Sequence, residues 1–209
     1  MSTAAETDST PAHTSAPPSG TRMRLDSFDA SKGLDRGRPR WFELLWYLTK
    51  CVFFLSALPW PGALKRALLK AFGAQIGTGV VIKPRVNIHL PWRLKLGDHV
   101  WLGEEVFILN FEPVTIGSHA CISQRAFLCT GNHDYRKSDF PYRNRPIEIG
   151  AGAWVGAMCF VGPGAGLAAE AVATAGSIVI DFLPAAMICS GNPCRAVRPR
   201  WPQPKEPAT

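Results

Sequence analysis

The sequence has no C-x-x-C pair, no unbroken apolar run long enough to cross a bilayer and little charge, Asp, Glu, Lys and Arg together making 19% of its 209 residues. Each shortage excludes something. The six cysteines (Cys51, Cys121, Cys129, Cys159, Cys189, Cys194) are dispersed, and no cleavable signal peptide precedes the apolar segments, so neither a disulfide framework nor a zinc site is expected. They read as buried thiols of a cytoplasmic protein. The most apolar stretch, WFELLWYLTKCVFFLSALP at residues 41–59, is interrupted by Glu43 and Lys50 and falls short of the about 20 apolar residues that span a membrane. The small charged fraction is unbalanced, with a formal net charge of +7, which favours an anionic partner. Nucleic acid is not expected, because the basic residues are scattered and no binding motif accompanies them.

Composition divides the chain. Residues 1–23 are dominated by Ser, Thr, Ala and Pro and predict a disordered extension that cannot offset its own ordering entropy. Residues 24–73 predict a helical segment with two helices. The second, ALKRALLKAFG, sets Lys65, Arg66 and Lys70 beside Leu64, Leu68, Leu69 and Phe72 and ends on a glycine suited to a C-cap. These helices are expected to pack on the body of the protein or on a neighbouring subunit, the functional alternative being peripheral membrane contact through residues 41–60.

From Ile76 onward an aliphatic residue returns every six positions. Ile149, Val155, Val161, Leu167, Ala173 and Val179 do so without a slip, and Ile76-Ile82-Ile88, Leu96-Leu102-Ile108 and Ile116-Ile122-Leu128 are shorter arrays of the same kind. Glycine holds the second place in seven of eleven full hexads. Ordinary strands would alternate with a period of two, so a fixed six predicts a parallel β-helix over residues 74–192, three hexads to a triangular coil. Glycine at the second place and a slim residue at the fifth are expected to let the chain turn. Residues 193–209 are expected to form a basic tail.

A solenoid must expel its insertions as loops. Two residues are inserted between Ile88 and Leu96 and two between Ile108 and Ile116; the large insertion, residues 129–148, reads CTGNHDYRKSDFPYRNRPIE. It holds His133, the clearest candidate for proton transfer, since an imidazole within reach of a hydroxyl can take its proton as it attacks.

The motifs LGDHVWLGEEVFILNFEPVTIGSHACISQRAFLCTGNHDY (96–135), IEIGAGAWVGAMCFVGPG (147–164) and SGNPCRAVR (190–198) resemble the hexapeptide-repeat acyltransferases, in particular the colanic-acid-biosynthesis O-acetyltransferases, relatives of galactoside and maltose acetyltransferases. The resemblance implies a left-handed β-helix, a homotrimer, acetyl-coenzyme A as acyl donor and a sugar or glycan hydroxyl as acceptor, in exopolysaccharide biosynthesis. It makes His133 the general base. It implies that the backbone of Ala157 stabilises the thioester oxyanion, Ala175 touches the pantetheine arm, and Arg195 and Arg198 meet the coenzyme's phosphates. Asn110, Trp154 and Asp134 are implied at the acceptor, Asp134 with a role in orienting the imidazole.

Ile180 and Asp181 depart from the pattern, standing where relatives carry a Thr-Lys pair whose lysine binds coenzyme. Hexads LAAEAV and ATAGSI also lack the second-place glycine. A γ-class carbonic anhydrase would need convergent histidines, and His89, His99, His119 and His133 contain no closely spaced pair. A serine acetyltransferase would carry a larger helical domain. The rival from another class is a non-catalytic trimeric β-helix scaffold at the membrane, which would have no need of the NHDY loop.

Overall fold

The structure, a computed structural model, describes residues 22–201. The disorder expected of residues 1–23 lies almost wholly outside them, as does the end of the tail. Two α-helices, α1 (Arg40–Phe53) and α2 (Gly62–Ala71), precede a parallel solenoid of about six coils. Its three faces are ladders of short strands. Face A stacks strands ending at Ile76, Leu96, Ile116, Ile149, Leu167 and Leu183; face B those ending at Ile82, Leu102, Ile122, Val155 and Ala173; face C those ending at Ile88, Leu109, Cys129, Val161 and Val179.

Register follows the repeat. Ile76 pairs with Leu96, Leu96 with Ile116, Ile149 with Ile116 and Leu167, and each of these side chains is buried. A two-residue strand has room for one inward side chain, so one large aliphatic residue per hexad fills the core, and the three-residue strands of face A bury a second one, Leu94, Val114 or Ile147. The fifth-place residues Val80, Val100, Ala120, Ala153 and Ala171 are also buried. Leu183 and Cys189 continue the core into a sixth coil that the hexad count stops short of, because the chain loses two residues between Val179 and Leu183.

The glycines act differently from the sequence expectation. The turn is made at the fourth place, where Arg85, His99, Glu105, His119, Arg125, Met158, Glu170 and Ala186 all have φ between 54° and 61°. Second-place glycine is required by close approach between coils. A Cβ on Gly117 would lie 2.6 Å from the Ala151 backbone nitrogen, and one on Gly150 2.4 Å from that of Ala169.

The helices close the open edge of the first coil, whose carbonyls would otherwise face an apolar cap without partners. Trp46 donates its indole N–H to the Ile88 carbonyl at 3.1 Å, Arg66 donates to Val80 at 2.9 Å, and Lys65 Nζ to Lys83 at 3.2 Å. Trp46, Phe54, Leu69 and Phe72 thereby join the solenoid core. Lys65, expected on a polar face, is buried to 1% exposure because its amine serves these carbonyls. Gly73 ends α2 at φ 91°, with Ala74 N–H bonded to the Leu69 carbonyl and Gly73 N–H to that of Lys70, a Schellman motif.

At the other end the expected tail is partly structured. Residues Cys194–Pro199 form a strand antiparallel to Met187–Gly191, and Arg200 reaches back to the Gly152 and Glu170 carbonyls. Among the described residues no helix is long and apolar enough to cross a membrane.

Candidate active site

Every interruption of the hexads falls on the edge between faces C and A: both two-residue insertions, the large loop after Cys129 and the slip after Val179. This edge carries His133. Residues 22–38 run along it, with Trp92 donating to the Arg36 carbonyl at 2.7 Å, Arg93 donating to the Asp35 carbonyl at 2.6 Å, and Arg24 N–H bonded to the Ser138 carbonyl at 2.8 Å.

The His133 ring is fixed on several sides. Its Nδ1 lies 2.7 Å from the Phe140 carbonyl oxygen, which can only accept, so in the neutral imidazole Nδ1 carries the proton and Nε2 keeps a free lone pair. The ring stacks on Phe140 with centroids 4.2 Å apart, and Phe28 and Tyr142 approach its other sides at 5.2 and 4.8 Å. Phe140 has φ 48°, an unfavourable conformation for a bulky residue, and the strained peptide is the one whose carbonyl holds the imidazole. Neither Phe28, 105 positions earlier in the chain, nor a backbone carbonyl carried a signal in the sequence.

Two residues expected at the acceptor are otherwise engaged. Asp134 accepts the Arg136 N–H at 3.2 Å and donates its own N–H to the Pro141 carbonyl, so it shapes the turn, and the imidazole is oriented by Phe140 instead. Asn110 is wholly buried. Its Oδ1 accepts from Leu90 N–H at 2.8 Å and its Nδ2 donates to the Leu90 carbonyl at 2.6 Å, which latches two coils together at this edge.

Trp154, Ala157 and Ala175 lie elsewhere. Trp154 points outward from face B, half exposed, its indole N–H donated to Ser123 Oγ at 2.8 Å. Ala157 and Ala175 are third-place residues of successive coils on the edge between faces B and C, tied together by the Gly176 N–H on the Ala157 carbonyl at 2.8 Å. The N–H groups of both alanines bond to no acceptor among the described residues. A groove of about 400 Å³ runs beside Ala157, lined by Glu104, Gln124 and Met158. Face C separates this edge from His133. One chain therefore does not bring the expected site residues together.

Arg195 and Arg198 lie on the terminal strand. Asp181, the departure from the family pattern, holds Arg195 in an exposed ion pair at 2.7 Å, whereas Arg198 forms no ion pair among the described residues. Of the cysteines, Cys129, Cys159, Cys189 and Cys194 are buried, with burial pushing their thiols up, but Cys51 and Cys121 are only half-buried. His99 and His119 do form a close pair in space, stacked at 5.1 Å, because twenty residues make one coil here. No group of three metal-ligating side chains converges among the described residues.

No protein-family model matches the chain. It is 39% identical over 179 residues to "Putative colanic acid biosynthesis acetyltransferase WcaF" of Escherichia coli (strain K12), covering 84% of this chain and 96% of that one. It is 29% identical over 138 residues to galactoside O-acetyltransferase of the same organism, covering 64% and 68%. Among solved structures, a maltose O-acetyltransferase from Clostridium difficile 630 superposes with a TM-score of 0.69 at 18% identity, covering 81% and 90%. A galactoside acetyltransferase in complex with coenzyme A gives 0.68 at 24%, covering 82% and 84%. At these identities the superpositions establish the fold, the left-handed parallel β-helix.

Proposed function

This chain belongs to the hexapeptide-repeat acetyltransferases, with the proteins named for colanic acid biosynthesis, and from that premise we propose that it moves an acetyl group from acetyl-coenzyme A to a sugar hydroxyl in exopolysaccharide assembly. The enzyme is an acetyl-coenzyme A-dependent acyltransferase. The observation that carries the mechanism is the Nδ1 contact of His133 with the Phe140 carbonyl at 2.7 Å. A neutral imidazole held in that tautomer presents Nε2 as a base.

Nε2 takes the proton of the acceptor hydroxyl while its oxygen attacks the thioester carbonyl. The N–H of Ala157, without an acceptor among the described residues, is suited to the oxyanion, and being fixed on a rigid coil it needs no reorganisation as charge develops. Collapse expels coenzyme A thiolate, which recovers the proton from the imidazolium. No covalent enzyme intermediate is required.

Because His133 and Ala157 stand on different edges of the prism, the reading requires two copies, the loop of one lying against the B–C edge of the next, as in a trimer. Ala175 then borders the pantetheine arm, Trp154 the acceptor, and Arg198 with Arg195 the coenzyme phosphates. The exposed apolar stripe of α1 supports peripheral membrane contact through residues 41–60, which would bring the enzyme to a glycan under assembly.

Purified protein should release free coenzyme A from acetyl-coenzyme A when offered the right glycosyl acceptor. His133→Ala should lower that rate by about 10³-fold, within the range for loss of a general base, while the oligomer persists. Full activity in the variant would overturn the assignment.

A further inference from the structure

Helix α1 presents three stripes. Phe42, Trp46 and Phe53 face the solenoid. Trp41, Leu44, Leu45, Leu48 and Val52 form an apolar stripe facing outward, each 49 to 66% exposed. The third stripe, Arg40, Glu43, Tyr47 and Lys50, roofs an open cavity of about 240 Å³ against the first coil, floored by His89 and Leu90.

The cavity's polar groups are incompletely matched. Lys50 is 7% exposed, yet its amine makes no hydrogen bond or ion pair among the described residues and lies 5.7 Å from the centroid of the Tyr47 ring. His89 Nε2 is buried without a partner. Among the described residues Glu43 is the one carboxylate lining the cavity and is bound by Arg36 at 2.8 Å, and Arg40 forms no ion pair. A largely buried ammonium without a counter-ion is costly to keep, and an anion entering the cavity would relieve that cost.

We propose that this cavity is a phosphate site for the headgroup of an anionic phospholipid, filled when the outward stripe of α1 inserts into the bilayer interface. The stripe and the cavity are adjacent on one helix and share Leu44, so a lipid whose acyl chains meet Leu45 and Leu48 carries its phosphate to Lys50 and Arg40. The charge of the cavity itself, Arg36, Arg40 and Lys50 against Glu43, matches an anionic bilayer surface. The site rests on the membrane contact proposed above and adds to it a selectivity for headgroup charge.

The test is co-sedimentation of the intact protein with vesicles of phosphatidylcholine alone and of phosphatidylcholine with phosphatidylglycerol. Wild type is expected to pellet with both and more strongly with the second. Leu45→Glu/Leu48→Glu, at exposed positions, is expected to pellet with neither. Lys50→Met, which keeps the stem and removes the buried charge, should bind phosphatidylglycerol vesicles about five- to tenfold more weakly, bind phosphatidylcholine vesicles as wild type does, and keep its coenzyme A release on a water-soluble acceptor. Wild type that pellets with neither vesicle, or a Leu45→Glu/Leu48→Glu protein that falls apart into monomers, overturns the contact and the site together. Equal binding of wild type to both vesicles, or unchanged selectivity in Lys50→Met, overturns the site and leaves the contact standing.

Discussion

His133 owes its free nitrogen to a strained neighbour. Phe140 sits at φ 48° with its carbonyl on Nδ1 and its ring against the imidazole, while Phe28 closes another side. The NHDY motif marked the histidine, but it suggested Asp134 as the orienting group; the Asp134 carboxylate accepts the Arg136 N–H instead, and the carbonyl on Nδ1 belongs to a peptide, which no side-chain pattern records. A second histidine makes a prediction at this scale. Burial, with Lys50 and Arg36 nearby, pushes His89 down to about 4, whereas in the unfolded chain it titrates near 6.5. Between those values the unfolded chain binds the extra proton. The stability associated with neutral His89 is therefore complete above about pH 6.5 and is lost as pH falls toward 4, by no more than about 3 kcal/mol. Urea unfolding midpoints measured from pH 7 to 4 should fall less steeply for His89→Phe than for wild type. Parallel curves would exclude His89 as the source.

At the scale of elements, most of the solenoid was legible because each coil repeats one physical requirement, a single inward aliphatic residue per short strand. The interruptions were legible too, and the structure adds that they share one edge. What the sequence could not give was the reason for the glycines, since close packing and positive φ both select glycine and only coordinates separate them. Gly117 and Gly176 distinguish the two causes. A methyl on Gly117 would meet the Ala151 nitrogen at 2.6 Å, a backbone atom with nowhere to move, whereas Gly176 has φ 73° and open space around it. Gly117→Ala should cost about 3 kcal/mol or more, as overpacking against backbone does, and Gly176→Ala about 1 kcal/mol from the left-handed conformation alone. Denaturant titration of both variants checks the order, and equal losses would show that the coils yield at Gly117 and that close approach does not govern the second place. Lys65 was illegible for a related reason: amphipathic spacing cannot reveal that the first coil's bare carbonyls require a buried amine.

For the whole molecule, the separation of His133 from Ala157 and Ala175 by face C makes a single chain incomplete under the proposed mechanism. His133→Ala removes the base from the loop, and Ala175→Trp, at an exposed position, blocks the pantetheine track on the other edge without touching the core. Each variant alone should be inactive. If every site takes its loop from one chain and its coil edge from the next, a mixed trimer contains junctions where an intact loop meets an intact edge. With equal amounts refolded or co-expressed together and random assembly, about a quarter of junctions combine the two, so coenzyme A release should return to about a quarter of the wild-type rate per chain. Mixing the variants after folding should restore less, to the extent that subunits fail to exchange. A site built within one chain predicts no recovery under any mixing protocol, because no chain in the mixture carries both an intact loop and an intact edge.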